Sequence, residues 1–138
     1  MGFPSERLRR LRRTPALRRM VRETHLHPSQ LIHPAFVREG LASPTPINAI
    51  HGQVHESIDS LCATVEETIQ LGLGGVLLFG LPGVKDAQGS GAFADNGVVQ
   101  ESIRALRERF GDACVIIADC CLCEYTDHGH CGVIEGQD

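Results

Sequence analysis

The stretch from residue 75 to residue 80 reads GVLLFG and carries no polar side chain. A continuous apolar run of this length is typical of a β-strand that is buried on both faces of a parallel sheet. Further strands are predicted at residues 31–37 and 113–119, and helices at residues 57–71 and 97–110, from the spacing of their apolar residues. Strands that alternate with helices in this way predict an α/β fold built on a parallel sheet.

Three long connections separate these elements. Residues 40–56 are rich in Pro, Ser, Gly and His and are predicted to form a loop. Residues 81–97 and 119–134 follow the second and third predicted strands, and both segments are long and polar. Because ligands bind at the carboxyl ends of the strands in parallel α/β sheets, these last two loops are expected to carry the chemistry.

The chain of 138 residues has a basic start and an acidic remainder. Residues 1–30 hold eight arginines and two acidic residues, whereas the other 108 residues carry a net charge of −10. No aromatic side chain is interleaved with the arginines, and the acidic remainder would repel phosphates, so no nucleic-acid binding is expected. Residues 5–23 are predicted to form a helix or arm that Pro4 and Pro15 interrupt.

A membrane location is not expected from the sequence. No apolar run approaches the roughly 20 residues that a membrane span requires. No apolar secretory segment follows the first methionine either. A cytoplasmic protein is therefore predicted.

Four of the six cysteines lie within residues 120–131, which favours a metal site over a disulfide framework. If the third strand continued through this segment, Asp119, Cys121 and Cys123 would share one face of it. Cys131 would then return to them through the intervening turn. Three thiolates suit zinc, and three protein ligands leave a fourth position for water or substrate, as in catalytic zinc sites.

The cysteine spacing leaves alternatives open. A fourth ligand from Cys120, His128 or His130 would make a closed, structural zinc site. A redox role is less favoured because the spacing is C-x-C rather than C-x-x-C. Ordinary unliganded cysteines are a further interpretation.

Residues 119–132, which read DCCLCEYTDHGHCG, closely resemble the zinc-site signature of the delta-aminolevulinic acid dehydratase (porphobilinogen synthase) family. The resemblance continues upstream along nearly the whole chain, in order. It includes RRMVRET at residues 18–24, LIHPAFVREG at 31–40, LLFGLP at 77–82, Lys85-Asp86, Gly89-Ser90 and GVVQ at 97–100.

This resemblance implies a partial TIM (β/α)8 barrel, comprising about the first three β/α units. Residues 1–29 would form an extended or helical N-terminal arm through which the family assembles homo-oligomers, usually octamers. Residues 30–138 would form the N-terminal part of a truncated catalytic barrel. The implied activity is the condensation of two molecules of 5-aminolevulinate to porphobilinogen with loss of water, in tetrapyrrole and haem biosynthesis.

The resemblance also assigns site residues by position. Cys121, Cys123 and Cys131 would be the ligands of a Zn2+ ion that binds and polarises the second substrate. Asp119, at the end of the third strand, would be a supporting catalytic residue. An allosteric Mg2+ is a further expectation for the full-length protein.

A few positions depart from the family pattern. Cys120 stands where an aliphatic residue is common, and it is expected to face away from the metal as a small buried hydrophobe. His51 and His55 depart from the family in the loop over residues 40–56, through drift or a weakened subunit contact. The family forms Schiff bases on two lysines of later strands, and the single lysine here, Lys85, matches a loop position instead. We therefore expect the 138-residue chain to be inactive alone, and a non-catalytic zinc-binding or assembly module is the alternative.

Overall fold

A computed structural model describes residues 9–134 of the chain. The strands are β1 (Ile32–Arg38), β2 (Thr45–Pro46), β3 (Val54–Glu56), β4 (Gly75–Leu81) and β5 (Val115–Ala118). The helices are α1 (Pro15–Met20), α2 (Ile58–Gln70) and α3 (Val98–Phe110), with 3-10 turns at Arg10–Arg12, Pro28–Gln30 and Ser90–Ala92. The predicted alternation of strands and helices is confirmed.

All five strands form one sheet, in the order β2-β3-β1-β4-β5. β1, β4 and β5 are parallel neighbours, and Ala35, Leu78 and Ala118 lie in register across them. α2 precedes β4 and α3 connects β4 to β5, so β1, β4 and β5 lie side by side in chain order, as in a (β/α) barrel. Their carboxyl ends consequently meet at one edge of the sheet.

The prediction of a continuous loop over residues 40–56 was wrong in part. β3 pairs with β1 in parallel, with Phe36 opposite His55, and β2 pairs with β3 in antiparallel. These strands have only two and three residues, and neither has a local apolar pattern; β3 is held by pairing with β1, and β2 by pairing with β3. His55 is therefore a strand residue, half-buried beside β1.

Helices α2 and α3 pack on one face of the sheet and form the core with it. Val37, Leu61, Val65, Val76 and Leu78 are fully buried there. The other face carries Phe36 and Phe79, whose rings stack with centroids 5.1 Å apart. Within residues 9–134 no helix covers this second face, and Ile32, the first residue of β1, is 52% exposed there.

The N-terminal segment differs in detail from its prediction. Pro15 does not interrupt a helix but begins α1, because a proline at the first helical position loses no hydrogen bond. Thr14 caps this helix by accepting the Leu17 N–H at 3.2 Å. No residue of α1 is buried, and Pro4 lies outside the described residues. Among residues 9–134, no helix is long and apolar enough to cross a membrane.

Candidate metal centre

Three cysteine sulfurs converge just beyond the carboxyl end of β5. Cys121 Sγ lies 3.2 Å from Cys123 Sγ and 3.1 Å from Cys131 Sγ, and all three atoms lie within 4.8 Å of one another. The structure records these as free cysteines rather than disulfides. Sulfur donors suit Zn2+, and three protein ligands would leave one coordination position open.

The sulfurs meet through a turn and not through a continued strand. β5 ends at Ala118, and its last ladder bond joins Asp119 N to Leu78 O at 3.0 Å. The carbonyl of Leu122 then accepts the N–H groups of Tyr125 and Thr126, both at 2.9 Å. The predicted face alternation beyond residue 118 was therefore wrong, although the three cysteines still come together. We call residues 119–132 the cysteine loop.

Tyr125 anchors the cysteine loop to the body of the sheet. This single tyrosine of the chain is 7% exposed. Its ring lies against Gly80 at the end of β4, where a Cβ atom would collide with Tyr125 Oη and with Val99. Gly89 and Gly91 also border the Tyr125 side chain closely enough that a Cβ at either would touch it at 3.4 Å. The absence of a side chain at Gly80 therefore makes room for the tyrosine, whereas a Cβ at Gly89 or Gly91 would lie at ordinary contact distance from it.

A second loop braces the cysteine loop. We call residues 82–97, between β4 and α3, the glycine-rich loop. Asp86 and Thr126 form a short parallel bridge, in which Asp86 N donates to Tyr125 O and Asp127 N donates to Asp86 O at 3.1 Å. The Asp86 carboxylate holds its own loop by accepting bonds from the N–H groups of Gln88 and Ser90 and from the Ser90 hydroxyl. These bonds lower the pKa of Asp86, the one from the Ser90 hydroxyl most strongly.

The three thiols differ in acidity because they share hydrogen bonds. Hydrogen bonds from the Cys123 N–H and with the thiols of Cys131 and Cys123 lower the pKa of Cys121. The hydrogen bond to Cys121 raises the pKa of Cys123 to about 12, with a further contribution from Glu124. The same kind of bond to Cys121 raises the pKa of Cys131. In the absence of a metal, Cys121 is thus the favoured thiolate, and the other two retain their protons.

Two carboxylates adjoin the sulfurs. Asp119, Cys121 and Glu124 have ligand atoms within 4.8 Å of one another. Asp119 is exposed, and with Cys120, Cys121 and Tyr125 it lines a cavity of about 210 Å3 that faces α3. Glu124 Oε2 is buried and has no hydrogen-bond partner among the described residues.

The residues considered as a fourth ligand lie outside the sulfur cluster. The ring of His128 is engaged elsewhere, because Nδ1 accepts the His130 N–H at 3.1 Å and Nε2 lies 3.3 Å from the carbonyl of Ala87. The rings of His128 and His130 stack loosely on each other, with centroids 5.5 Å apart. Cys120 is exposed, so the prediction that it would be buried was wrong. It lies two residues after Ala118, the last residue of β5, and lines the open cavity.

Sequence reasoning missed the residues that hold the cysteine loop in place. Tyr125, Thr126 and Asp86 carry no metal-ligand signal, and the contacts that make them important join segments about 40 residues apart. The available signal was the resemblance, since Asp86, Tyr125 and Thr126 all lie in the stretches that match the family pattern.

Comparison with known proteins shows which family the chain matches. Residues 5–138 match the family model described as "Delta-aminolevulinic acid dehydratase". A protein of that name from Streptomyces coelicolor is 48% identical over 138 residues, covering 99% of this chain and 42% of that protein. One from Ruminiclostridium josui is 45% identical over 132 residues, covering 96% of this chain and 64% of that protein. The chain thus spans less than two thirds of the length of these curated relatives.

A solved structure agrees with these matches. The crystal structure of delta-aminolevulinic acid dehydratase (porphobilinogen synthase) from Toxoplasma gondii, in complex with the reaction product porphobilinogen, superposes with a TM-score of 0.87. The two proteins are 32% identical in sequence, and the match covers 94% of this chain and 37% of that one. The five-stranded sheet therefore corresponds to part of a TIM barrel.

Proposed function

The chain belongs to the delta-aminolevulinic acid dehydratase family, and on that basis we propose that it forms the metal-binding part of a porphobilinogen synthase. The reaction is the asymmetric condensation of two molecules of 5-aminolevulinate to porphobilinogen with loss of water. One observation carries the proposal: three cysteine sulfurs within 4.8 Å of one another lie at the carboxyl edge of a parallel sheet. In barrel enzymes this edge holds the active site.

The proposed metal is Zn2+, held by Cys121, Cys123 and Cys131. Sulfur donors favour zinc over the hard cations Mg2+ and Ca2+, which prefer oxygen. Bound at three sulfurs, a zinc ion supplies Lewis-acid chemistry to a substrate carbonyl or amine in the fourth position. Asp119 lies on the open side of Cys121 and would offer its carboxylate as a hydrogen-bond acceptor to the substrate.

Metal binding must displace protons from the cysteine loop. Cys123 and Cys131 have raised pKa values and hold their protons at neutral pH, whereas metal coordination requires thiolates. Zinc affinity is therefore expected to increase as the pH rises. Calorimetric titrations in buffers of different ionisation enthalpy would measure the released protons directly.

Residues 1–29 are proposed to act as an oligomerisation arm in a cytoplasmic homo-oligomer, expected to be an octamer, with residues 30–138 forming part of the barrel. Two features support this role. No residue of α1 is buried against the rest of its own chain. The strong positive charge of residues 1–30 complements the net charge of −10 on the other 108 residues, as a neighbouring copy would present it.

The 138-residue chain is proposed to lack turnover by itself. Lys85, its single lysine, lies exposed in the glycine-rich loop, whereas a Schiff-base lysine needs a desolvated pocket. The chain would therefore supply the metal ligands but not the lysines that form Schiff bases with the substrate.

Two measurements on the purified chain test the proposal. Competition with a chromophoric chelator should give one tightly bound zinc per chain, and a colorimetric assay should detect no porphobilinogen. Robust turnover would overturn the proposal that this chain lacks the residues for covalent catalysis. Absence of zinc binding would overturn the proposed metal centre.

A third measurement separates a catalytic part from a non-catalytic zinc module. Addition of 5-aminolevulinate to the cobalt-substituted chain should perturb its absorption spectrum, because the substrate would occupy the open metal position. An unchanged spectrum at saturating substrate would favour the non-catalytic module.

A further inference from the structure

Thr126 is a buried hydroxyl residue within the cysteine loop that the proposed chemistry does not use. Its side chain is 1% exposed, and its Oγ1 donates to the carbonyl of His130 at 2.9 Å. Burial of a hydroxyl without a partner is costly, so this bond is what allows the group to lie in the interior. The bond ends at the residue immediately before Cys131.

Apart from the contacts among the sulfurs themselves, the position of Cys131 depends on the backbone that leads to it. The Cys131 side chain is exposed, so packing contacts do little to fix its position. Gly129, two residues earlier, has a φ of +75°, a left-handed conformation that turns the chain back toward Cys121. The hydroxyl bond to His130 fixes the end of this turn, where the chain delivers the third sulfur.

Thr126 also connects the third sulfur to the other two. Its N–H donates to the carbonyl of Leu122, the residue between Cys121 and Cys123, at 2.9 Å. Its backbone is bridged to Asp86 in the glycine-rich loop. One residue thus holds both parts of the cysteine cluster against a common support.

We propose that Thr126 is a positioning residue whose hydroxyl sets the distance of Cys131 from Cys121 and Cys123, and so completes the three-sulfur metal site. This inference rests on the proposed metal centre. A threonine with this bond acts as an outer-shell group, and the loss of such groups typically weakens metal binding about 10- to 100-fold.

The test is a Co2+ titration of the full chain, of four single variants and of one double variant, monitored by thiolate-to-cobalt charge-transfer absorption. Thr126→Val removes the hydroxyl and keeps the volume. Thr126→Ser and Thr126→Ala form a second pair that differs only by the hydroxyl. We expect the Co2+ affinity of Thr126→Val and Thr126→Ala to be about 10- to 100-fold lower, with weaker charge-transfer absorption because the third thiolate is lost. Thr126→Ser should have near-normal Co2+ affinity and absorption.

The fourth variant, Cys131→Ala, provides the control for mechanism. If Thr126 acts through Cys131, adding Thr126→Ala to Cys131→Ala should cause little further loss of cobalt affinity. Equal affinity in the folded Ser and Ala variants, or full additivity with Cys131→Ala, would overturn the inference while the metal centre stands. A wild-type chain that binds no Co2+ would instead overturn the metal centre, and this inference with it.

Discussion

Replacing Gly80 by alanine tests whether the seat of Tyr125 controls the metal site. Gly80 is buried in β4, opposite Val37 of β1, and its backbone is held by that ladder. A Cβ atom at this position would come within 2.5 Å of Val99 Cγ2, and closer still to Tyr125 Oη. Since the strand cannot easily retreat, the tyrosine must give way. Overpacking of this kind costs about 1–3 kcal/mol.

The steric strain destabilises the arrangement in which the cysteine loop packs against the sheet, which we call the closed loop. Only in this arrangement does the Tyr125 side chain contact residue 80. A cost of about 1–3 kcal/mol shifts a two-state equilibrium about 5- to 150-fold toward the open loop. Apparent metal affinity falls with the closed population, so up to about a 150-fold loss is expected. The assay is a Co2+ titration, paired with urea unfolding to separate local opening from global destabilisation.

Matched variants make the Gly80 prediction specific. Gly132→Ala is the control, because a Cβ at Gly132 meets no atom within 4 Å, and it should leave affinity and unfolding midpoint unchanged. Tyr125→Phe removes the atom nearest the new methyl group, so it should restore part of the affinity of Gly80→Ala. The contact with Val99 would prevent full recovery. Wild-type affinity and stability in Gly80→Ala would refute the idea that Tyr125 anchors the cysteine loop.

Three further predictions follow from the site and the arm. Cys123→Ala should abolish tight zinc binding in a chelator competition and Cys120→Ala should not; equal loss from both would favour a closed four-cysteine site. Burial raises the pKa of the Cys62 and Cys114 thiols, so brief alkylation mapped by mass spectrometry should modify them less than Cys120, and equal labelling would contradict that burial. Deletion of residues 1–28 should shift the oligomer to smaller species in analytical ultracentrifugation, and an unchanged distribution would count against the arm.

The sheet was predictable where its signal was local. The apolar run at residues 75–80 and the periodic helix before it predicted α2 and β4 to within a residue or so at each end, because burial on both faces leaves a clear pattern. β3 was not predicted because a strand of three residues is too short to leave a recognisable apolar pattern in the sequence. Pro15 was misread because a proline can end one helix or begin another, and only the Thr14 cap distinguishes the two.

The candidate site shows the same division. The family resemblance was sufficient to predict that Cys121, Cys123 and Cys131 would meet, even though the assumed strand geometry was wrong. The turn at Leu122 replaces that strand and brings the same atoms together. The supports of the site, such as the bridge from Asp86 to Thr126, join distant segments and could not be found from spacing.

The bridge between Asp86 and Thr126 limits how the gene can change. Surface loops usually tolerate insertions and deletions, since their length has little effect on the elements that they connect. Here one added codon between Leu81 and Asp86 would displace the strand partner of the cysteine loop by about 3.3 Å. The length of the segment between Leu81 and Asp86 is thus restricted by the metal site, although this segment contributes no ligand of its own.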